Sequence, residues 1–268
     1  MIFDLHTHHR RCGHARGELR HYIEAALAAG LDTLGFSDHS PFFAEEADHH
    51  KPWVAMARSE FGAYLAEAAR LREEYRDRIR LLIGVESDFF PQHARLYAQT
   101  YADLGLDYII GSVHVVGDTD IFHQDRWAGA TEEFLLAEKE RYCDLVAASA
   151  RSGMFDILGH IDALRGNYPR LDEIETPAEE RMIEAIAESG VVVEVNTSGN
   201  TKRCGGWYPS DRLLRRLREY GIPLTFGSDA HDPERVGDQF QEVRRHLREL
   251  GYREWHVFER RERRPVPL

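Results

Sequence analysis

Cysteine is scarce. The 268 residues hold three, Cys12, Cys143 and Cys204, an odd number with no framework spacing. A disulfide-stapled secreted fold is therefore not expected, and the three read as reduced thiols of a cytoplasmic protein. Long hydrophobic runs are absent as well. No apolar stretch approaches the roughly 20 residues that cross a bilayer, and the opening MIFDLHTH has neither the basic nor the apolar region of a secretory signal. There is no surplus of positive charge. With 34 Lys and Arg against 46 Asp and Glu, the formal charge is −12. That balance counts against a nucleic-acid binder held by phosphate contacts, so neither nucleic acid nor membrane is expected as a partner. A small anionic substrate stays open, because a bound cation reverses the local field. No Gly/Ser linker or low-complexity tract divides the chain, and no Gly-rich dinucleotide turn or P-loop is present. One α/β domain over residues 1–268 is expected, as a monomer or small homo-oligomer.

What the sequence does have is alternation. The short apolar runs IFDLHT, DTLGFSD, RLLIGVES, DYIIGSVH, FDILGHID, VVVEVNTSG and IPLTFGSDAH are rich in Ile, Val, Leu and Phe. They end in polar residues, as buried parallel strands do. Amphipathic stretches such as ELRHYIEAALAAG and PAEERMIEAIAESG lie between them, several stopping at Gly. Seven strand–helix units suit a closed or nearly closed barrel, with an open doubly wound sheet as the rival. The tail REWHVFERRERRPVPL adds at most a short strand before it becomes charged and Pro-rich.

Histidine is concentrated at the ends of those runs. In an extended DLHTH, Asp4, His6 and His8 share one face, so His6 and His8 can reach one ion. Later runs end with Asp38 and His39, Glu86, His114, His160 and Asp162, then Asn196, Thr197 and Ser198, and finally Asp229 and His231; His14 follows the first run. A β/α barrel gathers its strand C-termini around one mouth. Nine candidate ligands thus converge: His6, His8, His14, His39, Glu86, His114, His160, Asp229 and His231. A catalytic zinc takes about three protein ligands plus water, so nine suit two or three divalent ions, with Glu86 as the natural bridge. Imidazole mixed with carboxylate and without thiolate suits Zn, Fe or Mn. The other eight histidines, His9 and His123 among them, are left to the surface or to a supporting role.

In DLHTH with CGHA, FSDHSP, GVESDFFP, IIGSVHVV, LGHID, EVNTSG with YPS, and FGSDAH, the chain resembles the PHP (polymerase and histidinol phosphatase) family over nearly its whole length, and within it the monofunctional histidinol-phosphate phosphatases. The resemblance implies a distorted seven-stranded (β/α)7 TIM-like barrel with a trinuclear metal cluster. It puts His6, His8, Glu86 and Asp229 on one ion, Glu86, His114 and His160 on a second, and His14, His39 and His231 on a third. The segment NTKRCGGW departs from the usual pattern, with extra Lys, Arg and Gly bordering the expected substrate position.

The activity so implied is hydrolysis of L-histidinol phosphate to L-histidinol and phosphate in histidine biosynthesis. The alternative is another small phosphate ester, such as a nucleotide or sugar phosphate. Two ions about 4 Å apart make a bridging hydroxide at neutral pH and hold the phosphoryl oxygens during attack, with Asp229 at the catalytic centre. Arg165, in HIDALRG, is the candidate phosphate clamp, an exposed helix arginine being the alternative; Arg10, Arg11, Lys202 and Arg203 rank behind it. Asp162 and Asp38 are candidate acids or orienting groups for ligand histidines. Asp4 is given a supporting role, and Ser198 and Asn196 are candidate substrate contacts. The acidic loop AEEADHHKPW offers carboxylates for the substrate's ammonium, a solvated charge run being the alternative.

Overall fold

All seven apolar runs form strands. The computed structural model describes residues 1–46, 48 and 54–268. The main sheet consists of β1 (Phe3–Asp4), β2 (Thr33–Phe36), β3 (Arg80–Asp88), β4 (Tyr108–Ser112), β7 (Ile157–Leu158), β8 (Val192–Asn196) and β9 (Leu224–Gly227), hydrogen-bonded in that order and parallel throughout. Two short antiparallel hairpins complete the strands: β5 (Val115–Val116) with β6 (Thr119–Asp120), and β10 (Glu254–Glu259) with β11 (Glu262–Pro267). Among the described residues seven helices wrap the sheet: α1 (Leu19–Ala28), α2 (Arg58–Glu74), α3 (Ala94–Tyr101), α4 (Glu132–Arg151), α5 (Pro177–Ser189), α6 (Asp211–Glu219) and α7 (Phe240–Glu249).

The sheet curls until its ends meet. Leu5 N donates to Phe226 O, Ala230 N to His6 O and His8 N to Ala230 O, with a parallel bridge between Thr7 and Ala230. The seam is thus made from the backbone that carries His6 and His8. Inside, Tyr108 crosses the barrel and donates its hydroxyl to Leu5 O at 2.7 Å. A side chain at Gly84 would put a Cβ 2.7 Å from that ring, so the GVES run needs a glycine for the tyrosine to pass.

The helix ends follow their sequence signals. Thr131, Thr176 and Ser210 cap α4, α5 and α6 by accepting from backbone amides, and Gly190 ends α5 at φ 69°. Lys139 of α4, Glu179 of α5 and Arg212 of α6 form a largely buried ion network: Lys139 Nζ lies 2.6 Å from Glu179, which pairs with both terminal nitrogens of Arg212.

The tail differs from expectation. It forms a full hairpin whose turn seals the floor, where Arg260 N donates to Asp107 and Arg261 pairs with Asp156 just ahead of β4 and β7. Trp255 is fully buried against Phe3, Phe226 and Phe240. Pro265 and Pro267 are tolerated because β11 is an edge strand. Residues 47 and 49–53 of the acidic loop considered for the ammonium lie outside the described residues. No described helix is long and apolar enough to cross a membrane, and the three cysteines are free.

Candidate metal centre

At the C-terminal end of the barrel a cavity of about 380 Å³ opens, lined by His14, His39, Glu86, His114, His160, Asp229 and His231 among others. Glu86, on β3, lies at its hub. Its Oε1 is 2.9 Å from His160 Nε2 and 3.5 Å from His114 Nε2; its Oε2 is 2.8 Å from His39 Nδ1, 3.5 Å from His6 Nε2 and 3.7 Å from His8 Nε2. Asp229 Oδ1 stands 3.0 Å from His8 Nε2 and 3.8 Å from His6 Nε2. His14 and His231 meet through their Nε2 atoms at 2.8 Å, and the His8 ring stacks on His39 and His231. All nine expected ligands are therefore brought together.

Burial opposes charge at each of these groups, and their neighbours decide the outcome. Against that desolvation, Glu194, Asp229 and Glu86 hold His6 well above the usual histidine range. Asp229 and Asp38 raise His8 to about 9, and Asp88 and Glu86 raise His114 to about 10. Where imidazole faces imidazole the sign reverses. Burial, His39 and His8 bring His14 down to about 4; His39 and His231 are lowered too, by burial first and then by neighbouring rings. Burial also works against the Glu86 and Asp229 carboxylates, but the surrounding imidazoles keep both well below their ordinary values.

Divalent ions fit this donor set. His6 Nε2 is fully buried without a hydrogen-bond partner, and His8 Nε2 and Glu86 Oε2, equally buried, converge on the same point. Buried polar atoms are rarely left so; lone pairs converging on one point are what a cation satisfies. Donor atoms lie within 4.8 Å of one another in the groups His6–His8–Asp229, His6–Glu86–His160 and His8–His39–His231, among others. These groups overlap the threefold partition implied by resemblance without reproducing it: His6 also reaches the second group and His8 the third. Two further groups include Cys12, which the sequence leaves out of the donor set. Its thiol is pushed far up by burial and then by Asp38, and it donates to His9 O at 3.2 Å.

The supporting residues hold the rings by their far nitrogens. Glu194 Oε1 is 2.7 Å from His6 Nδ1, Asp88 Oδ1 is 3.0 Å from His114 Nδ1 and Asp38 Oδ1 is 3.3 Å from His8 Nδ1. Such contacts fix ring orientation and tautomer. Glu194 and Asp88 were not singled out from the sequence. The available signal was a carboxylate inside the apolar run VVVEVN, and another two residues past Glu86. Asp4 orders backbone instead of rings, accepting from His6 N, Ser228 and Gly237 N. Two of the expected ligand residues, His160 and Asp229, take left-handed backbone at φ 28° and 54°, a conformation that clusters at functional sites.

Several expected substrate residues are placed differently. Arg165 is not in the cavity wall: it sits behind Tyr208, its Nε on Asp162 at 2.8 Å, its Nη2 on Trp207 O and its guanidinium 5.2 Å over the Tyr208 ring. Asp162 is occupied by Arg165 and Ser210 N, and Asp38 by His8 and His9. Asn196 is fully buried and serves Glu194 and Asp229. Ser198 does line the cavity, but its hydroxyl donates to Asp229 at 2.9 Å. Among the described residues, the cations in the wall are Lys202 and Arg235, accompanied by Asp120 and Phe122. Arg10 pairs with Glu18, and Arg203 borders a separate surface hollow.

Barrel and donor ring together define a β/α barrel with a divalent-metal site at its mouth. A family model described as PHP domain matches residues 4–198, and one described as PHP-associated matches residues 210–249; β9, from the second stretch, joins the same sheet as the strands of the first. The chain is 34% identical over 260 residues to the probable histidinol-phosphatase of Deinococcus radiodurans, covering 94% of this chain and 95% of that one. It is 30% identical over 260 residues to the histidinol-phosphatase of Bacillus subtilis, covering 89% and 96%. Among solved structures, the histidinol phosphate phosphatase of Lactococcus lactis, in complex with zinc, L-histidinol and phosphate, matches with a TM-score of 0.81 at 19% identity, over 98% of each chain. The chain belongs to the PHP domain family.

Proposed function

We propose that this protein is a metal-dependent phosphatase that hydrolyses L-histidinol phosphate to L-histidinol and phosphate. The observation that carries the proposal is the convergence of nine imidazole and carboxylate donors on one cavity, in a chain 34% and 30% identical to two histidinol-phosphatases over nearly its whole length. His6, His8, His14, His39, Glu86, His114, His160, Asp229 and His231 would hold two or three divalent ions, zinc, iron or manganese. When bound, such ions supply Lewis-acid neutralisation of the phosphoryl oxygens and a nucleophilic water at neutral pH.

The chain's own residues orient the reaction. Asp229 is kept ionised by His6 and His8, and Ser198 and Asn196 hold its outer oxygen. It is suited to hold a cation. Lys202 stands in the wall with its ammonium 4.8 Å over the Phe122 ring, and Arg235 stands nearby. Both are better placed to meet phosphate than Arg165, which serves here as a positioning residue behind Tyr208. Asp120 gives the wall a carboxylate for the substrate's ammonium, and Phe122 a face for its imidazole.

The test is phosphate release by zinc- or manganese-loaded protein from L-histidinol phosphate and from a panel of nucleotides and sugar phosphates. The expected kcat/KM for histidinol phosphate exceeds the panel by several orders of magnitude and collapses in His114→Ala. A flat profile, or a nucleotide in the lead, would overturn the substrate assignment.

A further inference from the structure

His8 is held by a chain of contacts that begins on an outer helix. Glu60, Tyr64 and Glu67 of α2 are spaced i, i+4 and i+7 and so share one face. Glu60 accepts from Arg11 Nε at 3.1 Å and Glu67 from Arg11 Nη2 at 2.8 Å. The remaining guanidinium nitrogen, Nη1, lies 3.0 Å from His9 Nε2. His9 Nδ1 lies 2.5 Å from Asp38 Oδ2, while the other oxygen, Oδ1, faces His8 Nδ1 at 3.3 Å and accepts from His39 N at 3.0 Å. His9 and Asp38 are wholly buried, and Tyr64, anchored by its hydroxyl on Gly84 O, packs its ring 5.3 Å from His9.

The direction of these contacts follows from chemistry alone. A guanidinium only donates, so His9 Nε2 must accept, which leaves the ring hydrogen on Nδ1, aimed at Asp38. A carboxylate only accepts, so His8 Nδ1 must carry the hydrogen toward Asp38. His8 Nε2 then faces the cavity, buried and 3.0 Å from Asp229 Oδ1, as the ring atom left to a cation. We propose that His9 and Arg11 are positioning residues: with the face of α2 as anchor, they fix Asp38 and through it the tautomer and aim of His8. This rests on the assignment of His8 as a metal ligand.

The experiment compares the full chain with His9→Phe, His9→Gln and Arg11→Met. Its first readout is the rate at which zinc-loaded protein loses zinc to a chromophoric chelator. Its second is the long-range nitrogen–proton spectrum of the imidazoles in the metal-free chain. His9→Phe and Arg11→Met are expected to lose zinc about tenfold to a hundredfold faster, the usual effect of removing a ligand's orienting partner. His9→Gln, whose amide oxygen accepts from Arg11 and whose amide nitrogen donates to Asp38, is expected to stay within about twofold of the parent. The parent spectrum should show a hydrogen on Nδ1 of both rings and none on Nε2 of His9. A purely structural role would lower the melting temperature of His9→Phe and leave zinc loss unchanged; that result overturns the proposal, as does a His9→Gln variant that loses zinc as fast as His9→Phe. If the parent takes up no zinc, the metal assignment fails separately. The spectrum then decides: an Nε2 hydrogen on His9, or an Nδ1 of His8 without a hydrogen, refutes the chain of contacts.

Discussion

A methyl group at Gly227 would lie 2.0 Å from Glu194 Oε1 and 2.5 Å from His6 Cβ. The glycine of FGSDAH is therefore the space through which Glu194 reaches His6. Gly227→Ala is expected to cost about 1–3 kcal/mol in unfolding free energy and to weaken zinc retention, because Glu194 must leave His6 Nδ1. Urea unfolding and metal analysis of the purified variant check both, and a variant with full metal content would refute the link. At this scale the sequence told more about which end of the barrel a residue occupies than about what its side chain touches. The nine donors were legible because strand ends in a β/α barrel share one mouth. Arg165 was misplaced because Ala163–Arg165 forms a 3₁₀ turn that carries the guanidinium behind Tyr208. Asn196 was misplaced because a strand-end amide does not announce whether it faces substrate or the carboxylates beside it.

The helices are tied by Lys139, Glu179 and Arg212, one residue each from α4, α5 and α6. Burial works against ionisation of Glu179, yet Arg212 and Lys139 outweigh it and keep its carboxyl below the ordinary 4.5. Glu179→Gln leaves the Lys139 ammonium without its counter-ion, and a loss of about 3–5 kcal/mol is expected at pH 7. Because the folded-state value is depressed, this stabilisation is present above about pH 4.5 and is lost as pH falls through the folded value. The difference between parent and variant in urea should therefore narrow in acid; an equal difference at pH 7 and in acid would count against the pairing. Elements were readable where they were buried on both faces. The seven barrel strands are nearly continuous apolar runs with no competing reading. The two hairpins were not readable: β5 and β6 are two residues each, and β11 is the charged, Pro-bearing segment ERRPVP, which carries no strand pattern and gains its place only by pairing with β10 under Trp255.

For the molecule as a whole, the extensive apolar core and the charged donor ring are separate sources of stability. Metal removal by a chelator is expected to leave a folded protein that still unfolds cooperatively. Restoring zinc should raise its melting temperature, by the equivalent of about 2.7 kcal/mol when free ion stands a hundredfold above its dissociation constant. Calorimetry with and without chelator reads this, and identical melting curves would contradict a metal centre built on native-state geometry. That geometry depends on the seam, where the backbone around His6 and His8 is stitched to Phe226 and Ala230. In a growing polypeptide seven of the nine donors, from His6 to His160, are made long before Asp229 and His231. A ribosome that has not passed residue 231 holds the greater part of the ligand inventory with no ring to place it in. The centre thus cannot form until residue 231 has been made, and ion capture at the full site is itself a report that the barrel has closed.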